Sequence, residues 1–191
     1  MSVRRKIGEP NGVFFLTFTC ARWMPLFQIA DGCNAVYRWF DYLKEQGHYI
    51  VGYVIMPNHV HALIAFSTSR TPINTLVANG KRFMAYELVR RLKEQGKNEI
   101  LEQLASWVNK TERLNNKKHE VFEPSFDWKE CRTIKFMEQK TDYIHQNPCK
   151  ERLAYLPEDY LHSSAKYYYM GQQGIYPVIT YMELQDIDLT S

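Results

Sequence analysis

Between residues 49 and 66 two β-forming runs are interrupted by one turn signal, and this stretch limits the available folds more than any other. Residues 51–56 are largely apolar and β-branched, Pro57-Asn58 is turn chemistry, and residues 60–66 are strand-like again, so the segment predicts a hairpin. His59 and His61 fall at the start of its second arm. Side chains in an extended strand alternate faces, so the two imidazoles point to the same side with one apolar residue between them. Two such rings can share a metal ion. An isolated pair is more often solvated or satisfied in a core, because one dyad is an incomplete coordination shell. A metal site therefore requires a third ligand from elsewhere in the chain.

The elements around the hairpin set its context. Residues 13–19 alternate as a first strand, with Phe14, Leu16 and Phe18 on one face and Thr17 and Thr19 on the other. Residues 33–46 carry Val36, Phe40 and Leu43 at helical spacing and stop at Gly47. After the hairpin, Thr71-Pro72 opens a long helix over 73–94, and residues 98–114 predict an additional, inserted helix. A short strand at 119–122 completes the order β, α, β, β, α, β. That order predicts an α+β, ferredoxin-like fold, a four-stranded antiparallel sheet with helices on one face. Asp127 with Glu130 three residues later resembles a capping-box start for a last helix. Its apolar stripe, through Ile134, Met137, Thr141 and Ile144, faces the core, while Phe136, Lys140, Tyr143 and Asn147 form a second stripe. Pro148 is expected to end that helix, with Tyr143 and Asn147, four apart, looking out from one face. His145 lies about 200° round the helix from Tyr143 and does not suit a general base beside it. Beyond it we expect a short helix and a tail that packs along the domain or meets a partner, with the tyrosines at 167–169 as an aromatic seam or a base-stacking platform.

The 191 residues are most simply one domain, 1–191, with a core at about 13–155 and a C-terminal extension at 156–191. No apolar run approaches a membrane span, and the basic start leads into no signal-peptide core, so a cytoplasmic protein is expected. The four cysteines are scattered, without zinc-ribbon spacing or disulfide-scaffold density. A net charge of +3 proves no polyanionic partner. Its placement says more, since Arg4-Arg5-Lys6, Lys81-Arg82, Arg90-Arg91, Lys117-Lys118 and Lys150 with Arg152 either converge on one phosphate-binding face or are solvated helix ends.

Two separated blocks, 56–63 (Met-Pro-Asn-His-Val-His-Ala-Leu) and 142–150 (Asp-Tyr-Ile-His-Gln-Asn-Pro-Cys-Lys), together resemble the signature pair of single-strand DNA transposases of the HUH tyrosine class. The branch they resemble is the REP-associated tyrosine transposases, and the likeness runs over about 14–167, including Asp159-Tyr-Leu-His-Ser-Ser-Ala. The resemblance implies a divalent metal, Mg²⁺ or Mn²⁺, held by His59, His61 and Asn147, with Tyr143 as nucleophile. It implies cleavage and rejoining of single-stranded or hairpin DNA through a 5′-phosphotyrosine, by a monomer or homodimer. Lys140, Lys81, Arg82, Lys150 and Arg152 are the candidate phosphate contacts, and Lys140, one turn before Tyr143, could also lower the tyrosine pKa. Cys149 stands where the family often has valine, and Glu151 interrupts the basic stretch, but neither touches an implied ligand. A scaffold of the same fold that binds hairpin or repeat DNA without turnover is the alternative. A cupin needs an all-β barrel that these helices do not fit, and a two-histidine phosphoesterase needs a second histidine motif that is absent.

Overall fold

The computed structural model describes residues 6–190. In chain order its elements are β1 (Gly12–Thr19), α1 (Leu26–Ile29), α2 (Cys33–Glu45), β2 (Tyr49–Ile55), β3 (His59–Phe66), α3 (Ile73–Glu94), α4 (Asn98–Ser106), α5 (Lys110–Leu114), β4 (Asp127–Glu130), α6 (Ile134–Lys150) and α7 (Ala165–Met170), with single 3₁₀ turns between some of them. The four strands pair antiparallel in the order β2-β3-β1-β4, the arrangement expected of a split βαβ fold.

Alternation along the strands sorts their side chains onto two faces. Phe14, Leu16 and Phe18 of β1, with Val60, Ala62, Ile64 and Phe66 of β3, join the apolar core under α2 and α3. The expectation of helices on one face holds for this pair. Val13 and Phe15, with Leu63 and Ala65, form a second, smaller core on the opposite face, where Ile144 of α6 packs against them. The last helix therefore covers the face that carries the histidines. The open edge of β2 is closed by residues 160–164: Ile55 N–H donates to the His162 carbonyl at 2.9 Å and Ser164 N–H to that of Tyr53 at 3.0 Å.

Four boundaries differ from expectation. The fourth strand is Asp127–Glu130, not 119–122. Phe122 is a core plug beside Phe18 and Phe27, making one bridge with Cys20, so its apolar signal came from burial, not from a ladder. As an edge strand, Asp127–Glu130 needs only alternate burial and tolerates its charges; Trp128 packs edge-on to Phe14 at 5.8 Å. The cap of α6 is accordingly Thr133, whose Oγ1 accepts from Phe136 N–H at 3.2 Å. Pro148 does not end α6 at Asn147, and the helix runs to Lys150. Proline's φ suits a helix and its missing N–H matters little this near the end, where Glu151 N–H donates to the Asn147 carbonyl at 3.2 Å and Leu153 N–H to the Pro148 carbonyl at 2.8 Å. The inserted helix is two, α4 and α5. Asn109 restarts the chain between them by accepting from Glu112 N–H at 2.9 Å.

The C-terminal extension packs along the domain. Tyr176 and Val178 enter the large core and Leu184 the small one. Tyr168 belongs to an aromatic seam and donates to the Val51 carbonyl at 2.9 Å, while Tyr169 remains exposed. No helix among the described residues is long and apolar enough to cross a membrane.

Candidate functional site

The polar end of the second sheet face is built by β1 and β3. Their register sets Thr17 opposite His61 and Thr19 opposite His59, all four on the face that α6 covers. Both histidine side chains are buried, and their rings lie 4.6 Å apart between centroids. Each is held through Nδ1. The His59 Nδ1–H donates to Asn58 Oδ1 at 2.7 Å, which leaves the Nε2 lone pair unprotonated in the neutral ring. His61 Nδ1 lies 2.7 Å from Thr17 Oγ1, and with Nδ1–H as donor its Nε2 is likewise left as a lone pair. Orientation of imidazole ligands through the remote nitrogen is a common feature of metal sites.

Burial keeps both rings neutral. It lowers the His59 pKa, against the opposing influence of Asn147 and Glu151. It pushes His61 down to about 3, with the nearby His59 and Lys140 adding to the effect. Neutral imidazole is the form that can donate to a metal. Among the described residues no group of three or more His, Cys, Asp or Glu side chains could hold a metal. Asn147 of α6 is buried beside this pair and acts on His59 against the effect of burial.

Helix α6 brings Tyr143 onto the same site one turn before Asn147. Its ring meets the His61 ring at 5.1 Å, tilted by 69°, and that of Phe15 at 5.9 Å. Phe15 also stacks on His61 at 5.5 Å, so one β1 side chain braces both. Tyr143 keeps 41% exposure whereas Asn147 keeps 8%, which places the phenol at the solvent edge and the amide behind it. Two ammonium groups flank the phenol. Lys140 Nζ lies 4.9 Å from the Phe15 ring and 5.8 Å from that of Tyr143, and Lys150 Nζ lies 5.1 Å from the Tyr143 ring. The continuation of α6 through Pro148 is what carries Lys150 round to this position.

Arg152 lies just past α6 in a left-handed turn with φ 57°. The candidate cations on α3 do not gather here. Lys81 is buried on α3, under the other sheet face, where its Nζ donates to the carbonyls of Glu123 at 2.6 Å and Ser125 at 3.0 Å. That lysine fastens a loop on the face away from Tyr143. Arg82 lies beside it, its guanidinium 5.3 Å from the Phe83 ring. Arg90 and Arg91 are in ion pairs with Glu87. Arg4 and Arg5 lie outside the described residues. Among the described residues, Lys6, Lys81, Arg82, Arg90, Lys117 and Lys118 instead line one groove away from Tyr143, apart from Lys150 and Arg152. His145 points away from Tyr143, as expected, and is buried against Ser164 Oγ at 2.9 Å.

Sequence reasoning missed Thr17, Asn58 and Phe15 as supports of this site. Two signals were legible: Thr17 is a polar residue on a strand face that the hairpin must cover, and Asn58 is adjacent to His59. The stacking of Phe15 depends on register and had no local signal.

No family model and no curated protein matches this chain. Among solved structures it is similar to a REP-associated tyrosine transposase bound to a REP hairpin, at 16% identity and a TM-score of 0.60, over 100% of this chain and 98% of that one. A candidate transposase from Deinococcus radiodurans R1 aligns over 74% of this chain and 95% of that chain, at 18% identity and a TM-score of 0.41, too low to bear on the fold. At such identity the first likeness establishes a shared fold, the one the two sequence blocks implied.

Proposed function

We propose that this protein cleaves and rejoins single-stranded DNA next to hairpins through a covalent tyrosine intermediate, as a divalent-metal-dependent, transposase-like strand transferase. The observation that carries the reading is the packing of a half-exposed Tyr143 against His61, with the His59–His61 pair oriented through Nδ1 and Asn147 one helical turn on. The fold neighbour is bound to a REP hairpin, which supports hairpin DNA as the substrate class.

The donor set fits Mg²⁺ or Mn²⁺, with the imidazoles favouring Mn²⁺, and His59, His61 and Asn147 would hold the ion. When bound, it supplies Lewis-acid neutralisation of a nonbridging phosphate oxygen. Tyr143 gives up its phenolic proton to solvent as its Oη bonds to phosphorus; the bond from phosphorus to the 3′-oxygen breaks, and that oxygen leaves as a 3′-hydroxyl carrying a proton from solvent. The 5′-phosphate remains on the tyrosine. A phenolate leaves more readily than an alkoxide, so the linkage stores the bond for attack by another DNA 3′-hydroxyl, which strand transfer requires and simple hydrolysis does not. Lys140 and Lys150, on either side of the phenol, offset phosphate charge and hold the strand.

A hairpin oligonucleotide labelled at the 5′ or the 3′ end, incubated with Mn²⁺, tests this. The 3′ label is expected to stay with the protein and the 5′ label to be released with a free 3′-hydroxyl. Tyr143→Phe removes one exposed oxygen, so its stability should change by no more than about 0.5 kcal/mol, with hairpin binding kept and adduct formation lost. An adduct mapped by mass spectrometry to another tyrosine, or full adduct formation in Tyr143→Phe, would show the nucleophile to be misplaced. Binding with no adduct in the unmodified protein would favour the non-catalytic scaffold.

A further inference from the structure

Lys81 and Arg82 lie on a second surface. On the face of the sheet remote from Tyr143, α3 and the segment 115–126 enclose a groove of about 870 Å³. Its charge is strongly positive on balance. Of the two acidic lining residues, Glu120 pairs with Lys117, and Glu123, whose carboxylate accepts from Arg22 N–H at 2.9 Å, keeps its negative charge against several cations. Arg90 is held by Glu87 and Glu94, and Lys81 is spent on the loop carbonyls that form the groove wall. Lys6, Arg82, Lys93 and Lys118 also line the groove, all four exposed, and none has a carboxylate partner among the described residues. Lys93 of α3 and Lys118 of the facing segment line the same groove as His119, whose pKa burial lowers with both lysines adding to the effect.

The shape of this charge identifies its partner. Arg82 and Lys93 are eleven residues apart on one helix, about 16 Å at 1.5 Å per residue. A row of that length suits a chain of phosphates better than one phosphate group. Tyr86, on the same helix between the two cations, is 65% exposed, and the floor is aromatic and aliphatic, with Val89, Phe126 and Trp128. An exposed ring set between cations offers base stacking, which an unpaired strand can use and a duplex, with its bases already stacked, cannot.

We propose that this groove binds a single polynucleotide strand, at a site separate from Tyr143 and independent of the reaction there. Binding of a fluorescent oligothymidylate, which forms no hairpin, measured by anisotropy across a salt series, tests it. The triple variant Arg82→Gln, Lys93→Gln, Lys118→Gln should bind at least tenfold more weakly at moderate salt. Loss of three phosphate contacts should flatten the slope of log affinity against log salt by about 2. Tyr86→Ala should weaken binding of the single strand about tenfold and leave a blunt duplex unaffected. A photoreactive thymidine analogue in the oligonucleotide should crosslink to Tyr86 in the protein as it stands and in Tyr143→Phe alike. Unchanged affinity and slope in the triple variant would overturn the proposal. So would crosslinks confined to the tyrosine face, or a polyglutamate peptide that competes as well as unlabelled oligothymidylate, which would make the groove a site for acidic protein. None of these outcomes bears on whether Tyr143 forms an adduct, so the two readings fail separately.

Discussion

The two faces of the sheet are made by the same strands, and they differ in what each covering element leaves open. Under α2 and α3 the inward side chains of β1 and β3 are apolar without exception, and most are fully buried. Under α6 the same strands change character along their length. Val13, Leu63 and Ala65 pack on Ile144 at one end, and Thr17, Thr19, His59 and His61 occupy the other. A single helix laid across a four-stranded sheet cannot cover all of it. At the polar end α6 presents Tyr143 and Asn147 to the histidines, and the half-exposed phenol is where these buried polar groups reach solvent. The comparison teaches that the candidate site is a place where the core stops, with its orientation set by short-range hydrogen bonds together with the stacking of Phe15 on His61.

Truncation on the two faces should therefore act on different quantities, and this is the largest contrast expected. Phe40→Ala empties a fully buried position between Trp39, Tyr53 and Tyr176 and should cost about 3–5 kcal/mol of stability in chemical denaturation. The double variant His59→Ala, His61→Ala removes two desolvated rings from the polar end. It should cost less than about 2 kcal/mol, keep most hairpin binding, and reduce cleavage of the labelled hairpin to background. If the double variant unfolded as readily as Phe40→Ala, the pair would be core and not site. If it cleaved normally, the metal reading would end.

How much of this could be read beforehand follows the same division. The large core, the hairpin and the sheet order were legible because burial on one face imposes a two-residue period on strands and a three-to-four-residue period on helices. The pair His59 and His61 and the pair Tyr143 and Asn147 were legible because each lies within one element, where periodicity alone decides facing. What failed were features decided by competition between distant segments. Residues 119–122 look like a strand because Val121 and Phe122 are buried in the core, while Asp127–Glu130 conceals a strand behind charges that an edge position tolerates. Lys81 looks like a surface cation because nothing in its neighbourhood of sequence reveals the carbonyls of Glu123 and Ser125 that it will meet.

Acid offers a smaller test in which both faces should respond in the same direction. Every histidine of the chain has its pKa lowered, with burial the largest cause in each case. His48 shows why. Its Nδ1 accepts from Ser67 N–H at 3.2 Å, so protonation there would break that bond, and its buried Nε2 has no hydrogen-bond partner among the described residues. A histidine whose folded pKa lies below its unfolded value binds its proton first in the unfolded chain. The stability tied to neutrality is thus fully present above the unfolded pKa, near ~6.5, and drains as pH falls toward the folded values, about 3 for His145. Melting temperature is expected to hold level from neutral pH down to that point and to fall steadily on the acid side of it, before most carboxylates titrate. His48→Gln should reduce the slope, being unable to take up a proton in either state. A melting temperature independent of pH over that range would mean that the rings are hydrated in solution and that neither face is as dry as its packing implies.

The smallest effect expected sharpens the comparison most, because it separates orientation from packing at one atom. Thr17 is on the site face of β1, directly across from His61, and its Oγ1 lies 2.7 Å from His61 Nδ1. Thr17→Val replaces a hydroxyl by a methyl of nearly the same shape, so it leaves the strand and its β-branched rotamer intact. The lost hydrogen bond should cost about 1 kcal/mol, with an unpaired ring nitrogen left at a partly buried site. The effect on function should be different in kind. If His61 donates to a divalent ion through Nε2, its tautomer and ring angle depend on that hydroxyl. Loss of such a support typically weakens metal affinity by about 10- to 100-fold. The Mn²⁺ concentration giving half-maximal cleavage should accordingly rise about tenfold, while cleavage at saturating Mn²⁺ stays near its original rate, because Tyr143 and the strand contacts of Lys140 and Lys150 are untouched. Thr17→Ser restores the oxygen without the methyl and should bring the Mn²⁺ midpoint back toward its original value even if it lowers stability. A midpoint that tracks stability across the three proteins, and not the presence of the hydroxyl, would assign Thr17 to packing alone.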